Sequence, residues 1–198
     1  MGVRLEMSRE PEIVFSDTKT SCRQIRSVTE YRFDDIRPGD RVLDVGANIG
    51  AFSIRAARMG ARVTAVEPVT VAVLRENIRA NGVSVQVIDG ALGDGKRQEI
   101  CWDGCRVVCP TFPLRDLIGM AEGCDFLKCD CEGAEWLIRP DDLAPVRRIE
   151  MEIHTPPISG PVNPALLEYI SRWYDFTIDR KPCHDILGVM GILHAERK

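Results

Sequence analysis

Val42-Leu-Asp-Val-Gly-Ala-Asn-Ile-Gly50, followed by Val63-Thr-Ala-Val-Glu-Pro68, decides the fold of this chain. A hydrophobic strand runs into a glycine turn, and a second hydrophobic strand ends on a carboxylate. Gly46 and Gly50 carry no side chain and tolerate positive φ, so the turn lets backbone meet a ligand closely. Glu67 follows about twenty residues on, the separation of one strand–helix–strand unit, where a carboxylate accepts hydrogen bonds from both hydroxyls of a ribose. The pairing describes a nucleotide-type cofactor site.

The dinucleotide fingerprint G-x-G-x-x-G sets a pyrophosphate on a helix N-terminus. Here Asn48 replaces its second glycine and Gly50 comes one residue early, so NAD fits poorly. Asp44 opening the turn, the compressed Gly46-Ala47-Asn48-Ile49-Gly50 spacing and Glu67-Pro68 instead resemble the class I S-adenosylmethionine-dependent methyltransferases. That ligand has no phosphate and carries an amino group and a sulfonium, which carboxylates near the turn complement. The competing reading is a Rossmann-like fold with a dead site or another ligand.

Outward from the turn, strands and helices alternate. Strands are expected at Arg41–Val45, Ala61–Val66, Ser84–Ile88, Asp125–Cys129 and Arg147–His154, with helices at Ile49–Met59, Val71–Ala80 and Leu114–Met120. Strands separated by short helices pair in parallel through right-handed crossovers. Gly90 to Pro113 breaks the rhythm, and Gln98–Trp102 with Arg106–Val108 reads as an inserted hairpin. Pro164 opens a helix over Ala165–Trp173. Phe176–Asp179 and Val189–His194 are expected as an antiparallel pair at one edge. The fold class is therefore α/β, a doubly wound, mostly parallel seven-stranded sheet with an inserted hairpin. One domain is expected over 1–198: an N-terminal cap segment (1–40) with a partly helical stretch Thr18–Phe33 over the cofactor, a core (41–154) and a C-terminal helix with edge strands (155–198).

Composition agrees with an ordinary globular enzyme: 198 residues, 44% hydrophobic and 28% charged. The charged N-terminus and the lack of a long apolar run point to a cytoplasmic chain without a signal peptide or membrane span. A net charge of −4 weighs against a phosphate-binding face, so nucleic acid is an unlikely partner on this reading and a small acceptor the expected one. The eight cysteines lack paired zinc-ribbon spacing and read as buried hydrophobes plus exposed thiols, with oligomeric state left open.

Open parallel sheets bind ligands at the carboxyl ends of their strands. Asp44, Glu67, Asp89, Asp130 and His154 all fall at such ends. The ordered set Asp44-Val-Gly-Ala-Asn-Ile-Gly-Ala-Phe-Ser53, Ala65-Val-Glu-Pro68, Leu74-x-x-Asn77-x-x-x-Asn81-Gly82 and Leu127-Lys-x-Asp-x-Glu-Gly-Ala-Glu135 resembles the FkbM family of methyltransferases. The resemblance covers roughly Arg41 to His154, and Cys129 and Cys131 depart from the β-branched residues more usual there. It implies a seven-stranded methyltransferase fold, S-adenosylmethionine as donor and O-methylation of a sugar or polyketide hydroxyl. By position it implies a cofactor turn at Gly46, Asn48 and Gly50, a ribose contact at Glu67 and a methyl-transfer cleft bordered by Asp130 to Glu135. Ala47, Phe52, Pro68, Gly90 and Ala91 complete the expected donor site alongside Asp44, Asp89 and Asp130.

Transfer from a sulfonium is an in-line displacement with a good leaving group, so alignment supplies most of the acceleration and a base need only take the acceptor's proton. His154 is the expected base, given an ordinary pKa of about 6.5, with Asp130 and Glu132 as alternatives. No metal site is expected, although Asp130 and Glu132 with Glu135 offer oxygens to a hard cation. Glu135 should lie on a helix after Gly133, partly turned away. Trp136 reads as packing, Asn77 and Asn81 as helix braces, and Lys128 as a partner for a carboxylate. The rival functions are an RNA (tRNA) methyltransferase and a non-catalytic binding protein that keeps the fold.

Overall fold

The chain enters its core at β1 (Arg41–Val45) and alternates through α1 (Ala51–Arg58), β2 (Arg62–Glu67), α2 (Val71–Ala80) and β3 (Val85–Asp89). A short β4 (Ala91–Leu92) precedes β5 (Arg97–Trp102), β6 (Cys105–Phe112), α3 (Leu114–Met120) and β7 (Phe126–Cys129). Two 3-10 turns, Ala134–Leu137 and Pro140–Leu143, lead to β8 (Arg148–His154), α4 (Pro164–Trp173), β9 (Tyr174–Asp179) and β10 (Val189–Arg197). The computed structural model describes residues 12–16, 26–180 and 187–198.

The seven-stranded sheet has the order β3-β2-β1-β7-β8-β10-β9. Its first five strands are parallel, and β10 runs antiparallel to both β8 and β9. The doubly wound sheet expected from the sequence is thus present. β1, β2 and β7 sit side by side at its centre, so the loops after them open onto one common edge, the ligand-binding edge of such sheets.

Two local expectations are corrected. The hairpin is part of a second sheet, ordered β4-β6-β5, and β6 continues past Val108 to Phe112. Its turn is tight because Asp103 and Gly104 both take positive φ, at 46° and 76°. No α-helix follows Gly133: the 3-10 turn begun at Ala134 ends where Ile138 turns extended at φ/ψ −64°/127°, and Arg139, just before Pro140, is extended as well at −79°/132°. The expected partly helical segment Thr18–Phe33 lies outside the described residues over 18–25; in its described part Arg26 and Ser27 are helical, and 28–36 run as turns.

Both faces of the sheet are covered. Leu43, Leu127, Ile149 and Met151 pack under α3 and α4, while Val42 and Phe126 pack with Phe52 and the 28–36 segment. Across this second face runs a buried polar row, in register from Asp44 to Lys128 to Glu150 to His194. Buried charges require partners, and these have them: Lys128 Nζ lies 3.2 Å from Asp44 Oδ1, and His194 Nδ1 lies 2.6 Å from Glu150 Oε2.

At the opposite edge from the ligand-binding loops, Arg41 clamps Asp125 with Nη2 at 2.7 Å from Oδ1 and Nε at 2.8 Å from Oδ2. The Arg41 side-chain hydrogen bond, against the opposing effect of burial, holds the Asp125 carboxyl down at about 2. A carboxyl lowered on folding contributes stability that is complete above its unfolded value, near 3.9, and is lost as pH falls toward 2. Asp125→Asn is expected to cost about 1–2 kcal/mol at pH 7, discounted for partial exposure. The same substitution should cost almost nothing at pH 2, as urea denaturation at the two pH values will test.

Candidate active site

A cleft of about 690 Å³, including its open mouth, lies over the carboxyl ends of β1, β2 and β7. The β1 turn forms its floor. Gly46 takes φ 73°, and a Cβ there would run into the carbonyl of Asp130, so the β1 and β7 turns touch through backbone. The Gly46 and Ala47 amides both donate to Val66 O, at 2.9 and 3.1 Å, which locks the turn onto β2. Asn48 follows at φ 50°, a left-handed conformation that asparagine tolerates better than most residues.

Glu67 ends β2 in the cleft wall. Its Oε2 accepts from the Asn48 amide at 2.9 Å, and its Oε1 accepts from the amides of Val69 and Thr70 at 2.7 and 3.0 Å. Three of its roughly four acceptor positions are therefore filled, so it has capacity for one further donor rather than the two expected. Asn48 Oδ1 is buried and has no hydrogen-bond partner.

Of the other expected donor residues, Pro68, Ala91 and Asp130 line the cleft with Gly46, Asn48 and Glu67. Asp44 does not: it is wholly buried, accepting from Ser53 Oγ at 2.6 Å and pairing with Lys128. Phe52 belongs to an aromatic cluster, with ring centroids 4.6 Å from Phe33 and 6.0 Å from Phe126. Ala47 is in the core, and Gly50 stands where a Cβ would meet Leu74 Cδ1 at 2.6 Å, so both support the turn from beneath. Asp89 is exposed at the end of β3, and Gly90 lets the chain pass Phe112 of the hairpin.

Beside the cleft, four carboxylates surround one imidazole. His154 has a side chain only 1% exposed, with Nδ1 3.1 Å from Glu135 Oε1 and Nε2 3.1 Å from Glu152 Oε2. Glu132 Oε2 and Asp130 Oδ1 stand 3.5 and 4.0 Å from Nε2. Burial alone would push the imidazole down. The close carboxylates of Glu135 and Glu152, together with the charge of Asp130, override burial and raise it to about 11. A shift in that direction disfavours the expected histidine base, because an imidazolium has no lone pair for the acceptor's proton. Glu135 is corrected too, being fully buried and accepting from the His154 and Gly133 amides at 2.8 and 2.9 Å.

Asp130 bridges cleft and cluster. Burial would raise its carboxyl, but Lys128, His154 and the Tyr31 hydroxyl, which donates at 2.8 Å, hold it below the ordinary carboxylate value. Burial, followed by the charge of Asp130, raises Glu132, whose side chain is half exposed. Burial also raises Glu152, to about 7, against the pull of His154.

No family model matches the chain. The ribosomal protein L11 methyltransferase of Pelotomaculum thermopropionicum is 41% identical over 78 residues, which are 37% of this chain and 24% of that protein. The chain thus spans about a quarter of the length of this curated relative. An rRNA methylase from Streptococcus thermophilus superposes with a TM-score of 0.54 at 11% identity, over 82% of this chain and 89% of that one. Precorrin-6y C5,15-methyltransferase from Geobacter metallireducens superposes with a TM-score of 0.51 at 12% identity, over 94% and 95% of the two chains. The fold is that of the class I methyltransferases. In this methyltransferase fold the turn after β1 and the end of β2 form the cleft described above, and β7 and β8 carry the acidic cluster.

Sequence reasoning missed the roof of the cleft. Ile100, Cys101 and Trp102 of β5 close it from the hairpin. It also missed Glu152, although the two-residue period of β8 puts Glu152 and His154 on one face. Of the cysteines, Cys109, Cys124 and Cys129 are buried, and Cys101 and Cys105 are exposed thiols. Asn77 and Asn81 act as braces, donating from Nδ2 to Ile49 O and Val14 O at 2.8 and 2.7 Å. No helix among the described residues is long and apolar enough to cross a membrane.

Proposed function

We propose that this chain is an S-adenosylmethionine-dependent methyltransferase of the FkbM type, acting on a hydroxyl of a small molecule or saccharide. The observation that carries the reading is the cleft itself: a glycine floor without room for a Cβ, Glu67 in the wall, and an opening onto Asp130 and Glu132. The residues fit the donor. Asn48 Oδ1 is a buried acceptor in want of a donor, Glu67 retains capacity for a ribose hydroxyl, and the carboxylates complement a cationic ligand without phosphates. When bound, S-adenosylmethionine supplies an activated methyl group whose leaving group is a neutral thioether.

The chain's own work is alignment and proton removal. Asp130 is held in place by Tyr31 and Lys128, while Glu132 lines the cleft with half its side chain open to solvent. Glu132 is thus the carboxylate within reach of an acceptor hydroxyl, and His154 stabilises the acidic turn from behind. The names of similar proteins support a second reading, with a ribosomal protein or RNA as acceptor. Against RNA stand the acidic wall and the net charge of −4. Binding to RNA with a steep salt slope would report several phosphate contacts and favour that reading.

Calorimetry with S-adenosylmethionine, then transfer of labelled methyl to hydroxyl acceptors, tests the proposal. Glu132→Gln should keep donor affinity and lose about 10²–10⁴-fold in turnover, the contribution of a positioned base. Absence of donor binding overturns the proposal. Donor binding without turnover on any acceptor would instead favour a binding protein. Trp102→Ala, which opens the roof, should weaken donor binding by about 1–2 kcal/mol through lost apolar contact while leaving the melting temperature nearly unchanged.

A further inference from the structure

We propose that Asp130, Glu152 and Nε2 of His154 form a binding site for a divalent transition-metal ion beside the donor cleft. The site goes beyond the methyl-transfer reading: its existence rests on the geometry of the cluster, and only its role depends on that reading.

One ligand atom from each of the three residues lies within 4.8 Å of the others. Adjacent ligands around a metal with bonds of about 2.0–2.2 Å stand roughly 3 Å apart, so small side-chain rotations close the set. The distances from Nε2, 3.1 Å to Glu152 Oε2 and 4.0 Å to Asp130 Oδ1, already approach that spacing.

The imidazole supplies an independent observation. Nε2 is buried and makes no directed hydrogen bond, although carboxylate oxygens face it from Asp130, Glu132 and Glu152. Nδ1 sits against Glu135 Oε1 at 3.1 Å. A carboxylate on one ring nitrogen with the other nitrogen facing an acidic pocket is the arrangement by which proteins orient a metal-ligating histidine. Charge argues the same way: Asp130, Glu132 and Glu152 bring three carboxylates to the Nε2 side of the ring, with Lys128 Nζ 3.9 Å from Asp130 on the far side.

One nitrogen and two carboxylates suit Mn²⁺, Co²⁺ or Zn²⁺ better than Mg²⁺ or Ca²⁺, which prefer all-oxygen sites. Cation binding displaces the Nε2 proton to solvent. Because Asp130 also lines the cleft, a cation here would meet the acceptor hydroxyl, ease passage of its proton to Glu132 and orient the resulting alkoxide toward the methyl group.

Mn²⁺ is the probe of choice because it has little affinity for the chain's thiols. With the full chain and no donor present, paramagnetic resonance should show one Mn²⁺ bound per chain. Glu152→Gln, nearly isosteric, should weaken binding at least tenfold while retaining a cooperative melt. Should that variant fail to fold, the Co²⁺-loaded native chain provides a second measurement: one imidazole N–H resonance, that of Nδ1, should be strongly shifted by the paramagnetic ion. Absence of stoichiometric Mn²⁺ binding, undiminished binding by folded Glu152→Gln, or no shifted N–H overturns the site. Calorimetry with S-adenosylmethionine on the same preparation separates the two proposals. Donor binding without Mn²⁺ binding removes only the metal site, and Mn²⁺ binding without donor binding removes only the methyltransferase reading.

Discussion

Gly46→Ala is expected to abolish donor binding and to destabilise the fold by about 3–5 kcal/mol, near the top of the range for single substitutions. Two causes add. At φ 73° any L side chain is strained, which costs about 1–2 kcal/mol. The added Cβ also overlaps the main-chain oxygen of Asp130, a group that no rotamer change can move. The β1 and β7 turns must separate, carrying Asn48 and Asp130 away from the positions that define the cleft. Chemical denaturation measures the first effect and calorimetry with S-adenosylmethionine the second. A folded Gly46→Ala variant that binds donor with native affinity would remove this turn from the donor site.

That turn was legible because its signal is local. Glycine, asparagine and an acidic strand end within one strand–helix–strand unit carry their own conformational reasons, and Gly46, Asn48 and Glu67 indeed share the cleft. The strands were legible for a similar reason, since runs such as Val42 to Val45 and Phe126 to Cys129 are apolar enough to require burial on both faces. Asp44 was misread because its fate depends on register: only the pairing of β1 with β7 puts it opposite Lys128, which consumes its charge. Phe52 was misread similarly, its partners Tyr31, Phe33 and Phe126 coming from distant segments.

The acidic cluster shows the same boundary more sharply. Asp130 and Glu132 sit where a strand end and a glycine turn foretell them, yet Nδ1 of His154 lies against Glu135, 19 residues earlier in the chain. Reading Glu135 as helical turned it outward on paper. Pro140 restricts only Arg139, whereas the turn already ends at Ile138, so no local signal foretold where Glu135 points. Tyr31, 99 residues from the Asp130 it touches, had no local signal at all.

Glu67→Gln is the second large effect expected, and its size comes from the backbone it holds as much as from the ligand. The carboxylate accepts on both oxygens, from Asn48 on one side and from Val69 and Thr70 on the other. An amide has only one acceptor oxygen. Turned toward Val69 and Thr70, it presents its NH₂ to the Asn48 N–H and leaves that donor without a partner; turned the other way, it strands two donors. Each stranded buried donor costs about 1–3 kcal/mol, so the better orientation should lower stability by about that amount. Donor affinity should fall by about 1.5–3 kcal/mol, as for a lost hydrogen bond to a charged group, because the Asn48 turn loosens and the ribose loses its carboxylate together. Denaturation and calorimetry on one variant separate the two roles. Lost stability with unchanged donor affinity would make Glu67 a lock for the turn alone, whereas loss of both makes it the joint between the fold and its ligand.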